Sequence, residues 1–456
     1  MCGIVGMFNL GKSNVSEKIK YATHAVNSRG QDACGIAIQE FSGNTKMHKD
    51  LGLASQVLSD EIIQKFQGYA AITQVRYSTQ GANNVQNSQP MHDQTSDGQD
   101  IYLVHNGDIT NSNIIKKQLI NKGVKFECTS DTEVIIKLLT YYYKGDMIDA
   151  IKNVCKKIIG AYSLIILAEK KLYAVRDKKA IRPLLLGVVG NTYILASEPY
   201  AFTILNGETI RDLHAGEIIC IDENGYSSTH LGSEQLSTCA FEYVYISHSS
   251  SIIDGKSVFE SRYEAGRRLA QYVPYADLII PIPETGIFAA TGLHQQTGIP
   301  YAHAILKNRY SLRTFIQPNQ ELRDEGIRMK LIPLESLIEG KDVILVDDSI
   351  VRGSTSKKIT SMVRSCAAKK VHFAIASPPL RHPCYWGVDM KTDKDFIALE
   401  KNREQIAEEI GADSVNYISI NDLCESIGRK QEDLCLSCFN GKKPTEIFKN
   451  NCEFEL

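Results

Sequence analysis

A cysteine at position 2, followed directly by Gly3, is the first feature of this 456-residue chain with chemical potential. Removal of Met1 would leave Cys2 with its thiol beside a free α-amine. An α-amine has a pKa near about 8, so nucleophile and base would sit in one residue. Four later segments supply partners for such a nucleophile. Ser28-Arg29-Gly30-Gln31-Asp32 holds an arginine in a glycine-bounded turn. Val75-Arg76-Tyr77-Ser78-Thr79 puts another directly after an apolar strand. His105-Asn106-Gly107 ends a strand with an amide and a glycine, and Ser130-Asp131-Thr132-Glu133 opens a helix. Arg76 suits the α-carboxylate of an amino acid, which a guanidinium grips with two hydrogen bonds. Asp131 suits its ammonium, and Arg29 is counted with them as a binding group. Asn106 and the Gly107 N–H suit an oxyanion. Together they are the groups a glutaminase needs.

A second constellation lies in the other half. Val343-Ile344-Leu345-Val346-Asp347-Asp348 is an apolar strand ending in paired carboxylates, and Ser349-Ile350-Val351-Arg352-Gly353-Ser354-Thr355 leads from it into a helix. Backbone N–H groups in such a loop can cradle a phosphate. The carboxylates cannot, but they can accept from vicinal ribose hydroxyls. Lys307, Arg309 and Arg313 begin a basic segment that continues to Arg323, Arg328 and Lys330, which reads as a lid over an anionic group.

The elements that must position these residues differ between the halves. Short apolar runs at 35–38, 70–75, 101–104, 161–168 and 171–175 predict strands, the last two an antiparallel hairpin. The spacing over 131–144 predicts a helix capped by Ser130 or Asp131. Runs at 276–282 and 342–346 are continuous and apolar, as in a doubly covered parallel sheet, and they alternate with helical stretches at 258–272 and 356–368. That alternation predicts an α/β domain. The expected domains are 2–235 and 236–456, joined in a Ser-rich polar stretch near 232–256. Apolar content of 43% and charged content of 23% are those of a soluble globular chain. A net charge of -2 gives no general attraction to nucleic acid or membrane. No apolar run approaches the ~20 residues of a membrane span, and the N-terminus lacks a secretory pattern, so a cytoplasmic protein is expected.

Met1-Cys2-Gly3-Ile4-Val5-Gly6, Arg29-Gly30-Gln31-Asp32, Val75-Arg76-Tyr77-Ser78-Thr79, His105-Asn106-Gly107 and Ser130-Asp131-Thr132-Glu133 resemble the class II glutamine amidotransferases of the N-terminal-nucleophile hydrolase superfamily. The resemblance implies a four-layer αββα sandwich. Val343–Thr355 resembles the signature of type I phosphoribosyltransferases, in which the Asp pair lies along the ribose of phosphoribosyl pyrophosphate (PRPP). Lys307-Asn308-Arg309-Tyr310 and Arg313-Thr314-Phe315-Ile316 look like the flexible loop of the glutamine PRPP amidotransferase family. That family implies transfer of ammonia from glutamine to PRPP, giving phosphoribosylamine, glutamate and pyrophosphate at the first step of purine synthesis. It also implies Mg²⁺ near Thr285, Asp347 and Asp348, feedback inhibition by purine nucleotides, and a homotetramer. Two departures stand out. Pro283-Glu284-Thr285-Gly286 occupies the place of Pro-Asp-Ser-Gly, and His248-Ser249-Ser250-Ser251 that of Arg-Pro-Asp-Ser.

Twelve cysteines in such a chain are not a secreted disulfide framework. Cys435-Leu436-Ser437-Cys438, with Cys239 and Cys384, could furnish four thiolates for zinc or for a [4Fe–4S] cluster, and spacing does not choose between them. The contexts of these four cysteines are similar to those of the iron–sulfur branch of the family, where the cluster is structural. Many members of that branch have a cleaved propeptide. Here Cys2 follows Met1 directly, so none is expected. Two rival readings are another glutamine-dependent synthetase, which would lack the Asp347-Asp348 loop, and a PRPP-binding regulator, which would have no use for Cys2. Pyrophosphate release requiring both glutamine and PRPP separates all three.

Overall fold

The computed structural model describes residues 2–77, 82–308 and 331–445. Its first half is built on two antiparallel sheets, and the placement of Cys2 follows from them. The strand Gly3–Asn9 runs through the seven-stranded sheet between Thr192–Ala196 and Gly68–Arg76. Every residue of it is buried. Its period-2 alternation sends Ile4 and Phe8 into a core shared with Val104, Ile165 and Leu172 of the six-stranded sheet. Val5 and Met7 turn the other way, against Ile19, Ala22 and Val26 beside the helix Ser16–Ala25. The helices Ser112–Asn121, Asp131–Tyr142 and Met147–Lys157 cover the outer face of the six-stranded sheet. The order of layers is helix, sheet, sheet, helix.

The strands expected from the apolar runs are present as Ala33–Glu40, Gly68–Arg76, Asp100–Ile109, Gly160–Ala168 and Lys171–Arg176, and the last two form the expected hairpin. The helix expected over 131–144 ends at Tyr142, with Ser130 as its N-cap.

The second half carries a four-stranded parallel sheet in the order Leu278–Pro281, Asp342–Asp347, Lys370–Ile375, Ser414–Tyr417. The helices Val258–Leu269 and Ile287–Thr297 pack on one face through Ala265, Leu269, Ala289 and Leu293. Ser354–Ser365 and Arg403–Ile410 cover the other through Ile359, Val363, Ile406 and Ile410. Burial on both faces is why these strands read as unbroken apolar runs.

A charged network joins the halves. Arg29 Nη1 lies 2.7 Å from Glu198, and its Nη2 lies 2.8 Å from Glu242. Arg182 Nη1 lies 3.2 Å from the same Glu242 carboxylate. Both arginine side chains and that of Glu242 are fully buried. Burial opposes ionisation of Glu242, but Arg29 and Arg182 outweigh it and hold its carboxyl below the usual range. Two positive and two negative charges balance. Glu242→Ala should therefore leave two arginines facing one carboxylate, at a cost of about 3–5 kcal/mol, read as a marked fall in the thermal unfolding midpoint.

Candidate functional site

Cys2 is buried at the entrance to its strand, with Sγ 3.8 Å from the carbonyl oxygen of Tyr77. Arg29 is not placed as the sequence reading expected. Its Nε donates to the Cys2 carbonyl at 3.1 Å, and the rest of its guanidinium is taken up by Glu198 and Glu242. The side chain fixes the main chain of Cys2 and is bonded to protein acceptors through all three of its nitrogens. Its neutralising partners, Glu198 and Glu242, are far away in sequence, so the turn around Arg29 could not announce them. Arg76 ends the strand Gly68–Arg76, nearly buried, with both terminal nitrogens 3.4 Å from the Ala82 carbonyl.

The strand Asp100–Ile109 brings up the amide. Asn106 is fully buried, and neither its Nδ2 nor its Oδ1 has a hydrogen-bond partner among the described residues. A buried amide left this way costs free energy unless a ligand satisfies it. At Gly107 φ is +154°, and a Cβ there would fall 1.9 Å from the Ala161 carbonyl, so only glycine fits. Asp131 opens the helix Asp131–Tyr142, and its Oδ2 accepts from the Ile109 N–H at 3.0 Å. Gln74 Nε2 donates to the His105 carbonyl at 3.1 Å, which ties the Arg76 strand to the Asn106 strand.

In the second half, Asp347 is the last residue of its strand and Asp348 begins the loop. Burial raises both carboxyls, that of Asp347 well above the ordinary range, where the neighbouring Asp348 charge adds to the effect. Ser349 Oγ donates to Asp348 at 2.5 Å, and Thr285 Oγ1 donates to the other Asp348 oxygen. A half-buried and a buried carboxylate, the latter bonded by two hydroxyls, form a hard-oxygen set that suits a divalent cation. Lys307 Nζ lies 3.4 Å from Glu284, so the departure from the family pattern at 284 is joined to the first lid cation. Gly353 takes φ +77° ahead of the helix Ser354–Ser365. Arg309 and Arg313 lie outside the described residues, as do Arg323, Arg328, Lys330 and Cys452.

Sequence reasoning missed Arg262. It lines a small cavity with Thr285 and Asp348. Its guanidinium donates to the Tyr243 and Ser247 carbonyls at 2.9 and 2.8 Å and to Ser249 Oγ at 2.8 Å. The His248–Ser251 departure is thus anchored beside the Asp pair. On the sequence Arg262 is only one more polar position of an amphipathic helix.

The four expected cysteine ligands are all buried. The strand Thr238–Cys239 pairs in parallel with Leu434–Cys435, which sets Cys239 opposite Cys435. The Trp386 N–H donates to Cys384 Sγ at 3.4 Å. Burial pushes the thiols of Cys239, Cys435 and Cys438 up, and each of these three also feels Cys384. Burial works against the charge of Arg182, but Cys239, Glu242, Cys384 and Cys435 sustain it. Arg182 thus places a positive charge beside three of the four thiols. Among the described residues no group of three or more His, Cys, Asp or Glu side chains is already gathered as a metal site.

The segment after Cys384 reaches the other site. Arg182 Nε donates to the Trp386 carbonyl at 2.7 Å, and Lys391 Nζ lies 2.7 Å from Asp108. Gly387, at φ +103°, has the Gly107 backbone against it: an added Cβ would meet Gly107 atoms at 3.0–3.1 Å. Tyr77 lies in the field of Asp389 and Arg352 as well as of Asp32; burial, with the two carboxylates, raises its phenol, and Arg352 opposes. Gly387→Ala should combine backbone strain with overpacking and destabilise the protein by about 1–3 kcal/mol. Activity with glutamine should fall while activity with free ammonia is kept, as paired assays on one preparation would show.

Comparison with known proteins places these observations. A glutamine amidotransferase domain model matches residues 74–204, and a phosphoribosyl transferase domain model matches 260–411. The chain is 43% identical to the amidophosphoribosyltransferase of Methanocaldococcus jannaschii, covering 98% of each chain. It is 38% identical to that of Bacillus subtilis, over 98% of this chain and 95% of the relative. It superposes with a TM-score of 0.92 on a B. subtilis glutamine PRPP amidotransferase complexed with ADP and GMP, at 38% identity and 98% coverage of both chains. A second solved structure, the allosteric regulatory enzyme of purine biosynthesis, gives a TM-score of 0.93 at 37% identity, covering 99% of this chain and 98% of the other. With the αββα sandwich, the Asp-ended parallel sheet and this full-length likeness in hand, the chain belongs to the amidophosphoribosyltransferase family.

Proposed function

We propose that this chain moves ammonia from glutamine to PRPP, with Cys2 as the nucleophile and the Asp347–Asp348 loop as the ribosyl site, at the first step of purine synthesis. The observation that carries this reading is the shared junction: Tyr77, which touches Cys2, also sits in the field of Arg352 in the phosphate loop. The same junction brings Gly387 of the second half against Gly107 of the first.

In the glutaminase half, Arg76 takes the glutamine α-carboxylate and Asp131 its ammonium. With Met1 removed, the α-amine accepts the Cys2 thiol proton as sulfur attacks the amide carbon. Asn106 and the Gly107 N–H receive the oxyanion, which answers the unpaired Asn106 amide. The protonated amine then gives its proton to the departing ammonia, and water hydrolyses the thioester to glutamate.

In the ribosyl half, Asp347 and Asp348 accept from the ribose hydroxyls. The backbone and side chains of Ser349, Val351, Arg352, Gly353, Ser354 and Thr355 hold the 5′-phosphate, and Lys307 faces the pyrophosphate. Mg²⁺ held by Thr285, Asp347 and Asp348 would supply charge neutralisation for the departing pyrophosphate. Arg262 is a positioning residue behind Asp348. The division between domains falls at 235/236, between the last strand of the sandwich, Gly225–His230, and the strand Thr238–Cys239 that pairs with the tail.

Cys239, Cys384, Cys435 and Cys438 would hold a structural [4Fe–4S] cluster, with zinc as the alternative. The buried charge of Arg182 supports a thiolate-bound centre, because it offsets negative charge that burial would otherwise penalise. Purine nucleotides are the expected feedback inhibitors, in line with the ADP and GMP bound to the B. subtilis relative. Among the described residues no helix is long and apolar enough to cross a membrane; a cytoplasmic homotetramer completes the reading.

Cys2→Ala should lower glutamine-dependent pyrophosphate release by roughly 10³-fold or more and spare the ammonia-dependent reaction. Asp348→Asn should lower both by roughly 10²-fold and leave Cys2 reactive toward a glutamine-mimicking diazo-ketone. Loss of both activities in folded Cys2→Ala protein would overturn the division of labour. Anaerobically purified protein should be brown and contain about four irons per chain. One zinc without iron would replace the cluster, and no metal would return the four cysteines to ordinary buried thiols.

A further inference from the structure

A second cavity, of about 240 Å³, opens at the carboxyl ends of the strands Lys370–Ile375 and Ser414–Tyr417. The PRPP loop leaves the adjacent strand on the same edge, the edge where open α/β sheets bind ligands. None of the residues lining this cavity is used in the chemistry above.

Its polar wall consists of donors. Arg381, Lys401 and Arg403 line it, and two helices, Arg403–Ile410 and Ile420–Ile427, start at its rim. Lys401 is paired with Glu409, but Arg381 and Arg403 form no side-chain hydrogen bond or ion pair among the described residues. The carboxylate nearest the second helix start, Asp422, is engaged by Ser419 and Tyr272.

The decisive group is Tyr417. It is 1% exposed and lines the cavity, and its hydroxyl has no hydrogen-bond partner among the described residues. Burial raises its phenol, and the charges of Arg403 and Arg381, which line the same cavity, act against that rise. Neither guanidinium can accept a hydrogen bond. A buried O–H without an acceptor, in a cavity lined also by two exposed guanidinium groups that pair with no described residue, is matched by an anionic acceptor. Pro378, Pro379 and Phe439 supply an apolar wall for the remainder of such a ligand.

We propose that this cavity is a second anion site, which binds a small phosphate monoester through Tyr417, Arg381 and Arg403. The volume lies below the roughly 300 Å³ at which ligand pockets begin, which selects a compact phosphate ester over a whole nucleotide. The site is mechanically joined to the PRPP loop. Ile397, next to the lining residue Ala398, donates its N–H to the Val351 carbonyl at 2.9 Å, and its Cδ1 would lie 2.6 Å from a Cβ on Gly353. An anion drawn against Lys401 and Arg403 therefore bears on the segment that supports the phosphate loop.

Equilibrium dialysis of the full-length protein with ribose 5-phosphate tests this. The probe suits this cavity and the loop after Asp347 alike, so the wild type should bind about two equivalents per chain, one at each phosphate cradle. Arg381→Ala with Arg403→Ala should reduce binding to about one. Tyr417→Phe, which keeps charge and shape, should weaken one of the two equivalents by roughly tenfold, the loss of a hydrogen bond to a charged acceptor. It decides the matter alone if the double variant does not fold. Inorganic phosphate as competitor separates the sources: displacement at equal concentration identifies free phosphate, and poor displacement identifies an ester seated on Pro378 and Phe439. A single equivalent in the wild type, or unchanged binding in Tyr417→Phe, overturns the site.

Discussion

The structure depends on one carboxylate. Glu242 lies in the segment that leaves the sandwich, and it binds Arg29 on one side and Arg182 on the other. Arg29 holds the main chain of Cys2, and Arg182 holds the Trp386 carbonyl, two residues past Cys384. Cys2, the domain junction and the cysteine-rich tail are thereby registered against one buried anion. In a dry interior such a carboxylate is tolerated only while both cations are present. The three regions cannot shift independently without exposing an unpaired charge.

That constraint explains why the second half of the protein reaches so far into the first. The segment from Trp386 to Lys391 lies along the strand carrying Asn106, Gly107 and Asp108, with glycine facing glycine at the closest point. Close backbone approach gives a shape match without long side chains, and Lys391 adds an ion pair at the end. Cys384 is therefore linked to the Asn106–Gly107 strand through Gly387, three residues further along the chain. A metal centre there would have a structural reason to exist: it would stiffen the support of a site whose own elements leave the Asn106 amide unpaired.

The two departures from the family pattern acquire partners of their own. Glu284 reaches Lys307, and Ser249 accepts from Arg262, which also faces Asp348. Each departure makes a polar contact of its own, and that of Ser249 is to an arginine that lines a cavity with Asp348.

The sequence alone determined the local parts of this protein. Alternation and apolar runs marked the strands that carry Arg76, Asn106 and Asp347, because burial of one or both strand faces writes itself into the residue order. Ser130 or Asp131 marked the start of the helix over 131–142. Spacing left the cysteines as four thiols without an order. Only the tertiary structure decided what those parts meet. Arg29 was legible as an arginine in a turn but not as the mate of Glu198 and Glu242, which lie 169 and 213 residues away. Arg262, Gly387 and Lys391 gave no signal, since their significance is a contact across the junction. Tyr417 ends a strand that the sequence reading did not single out, and only the packing around it shows a hydroxyl without a partner among the described residues. Long-range charge pairing and cavity shape depend on where distant segments are brought together in space, and no local pattern of residues encodes that.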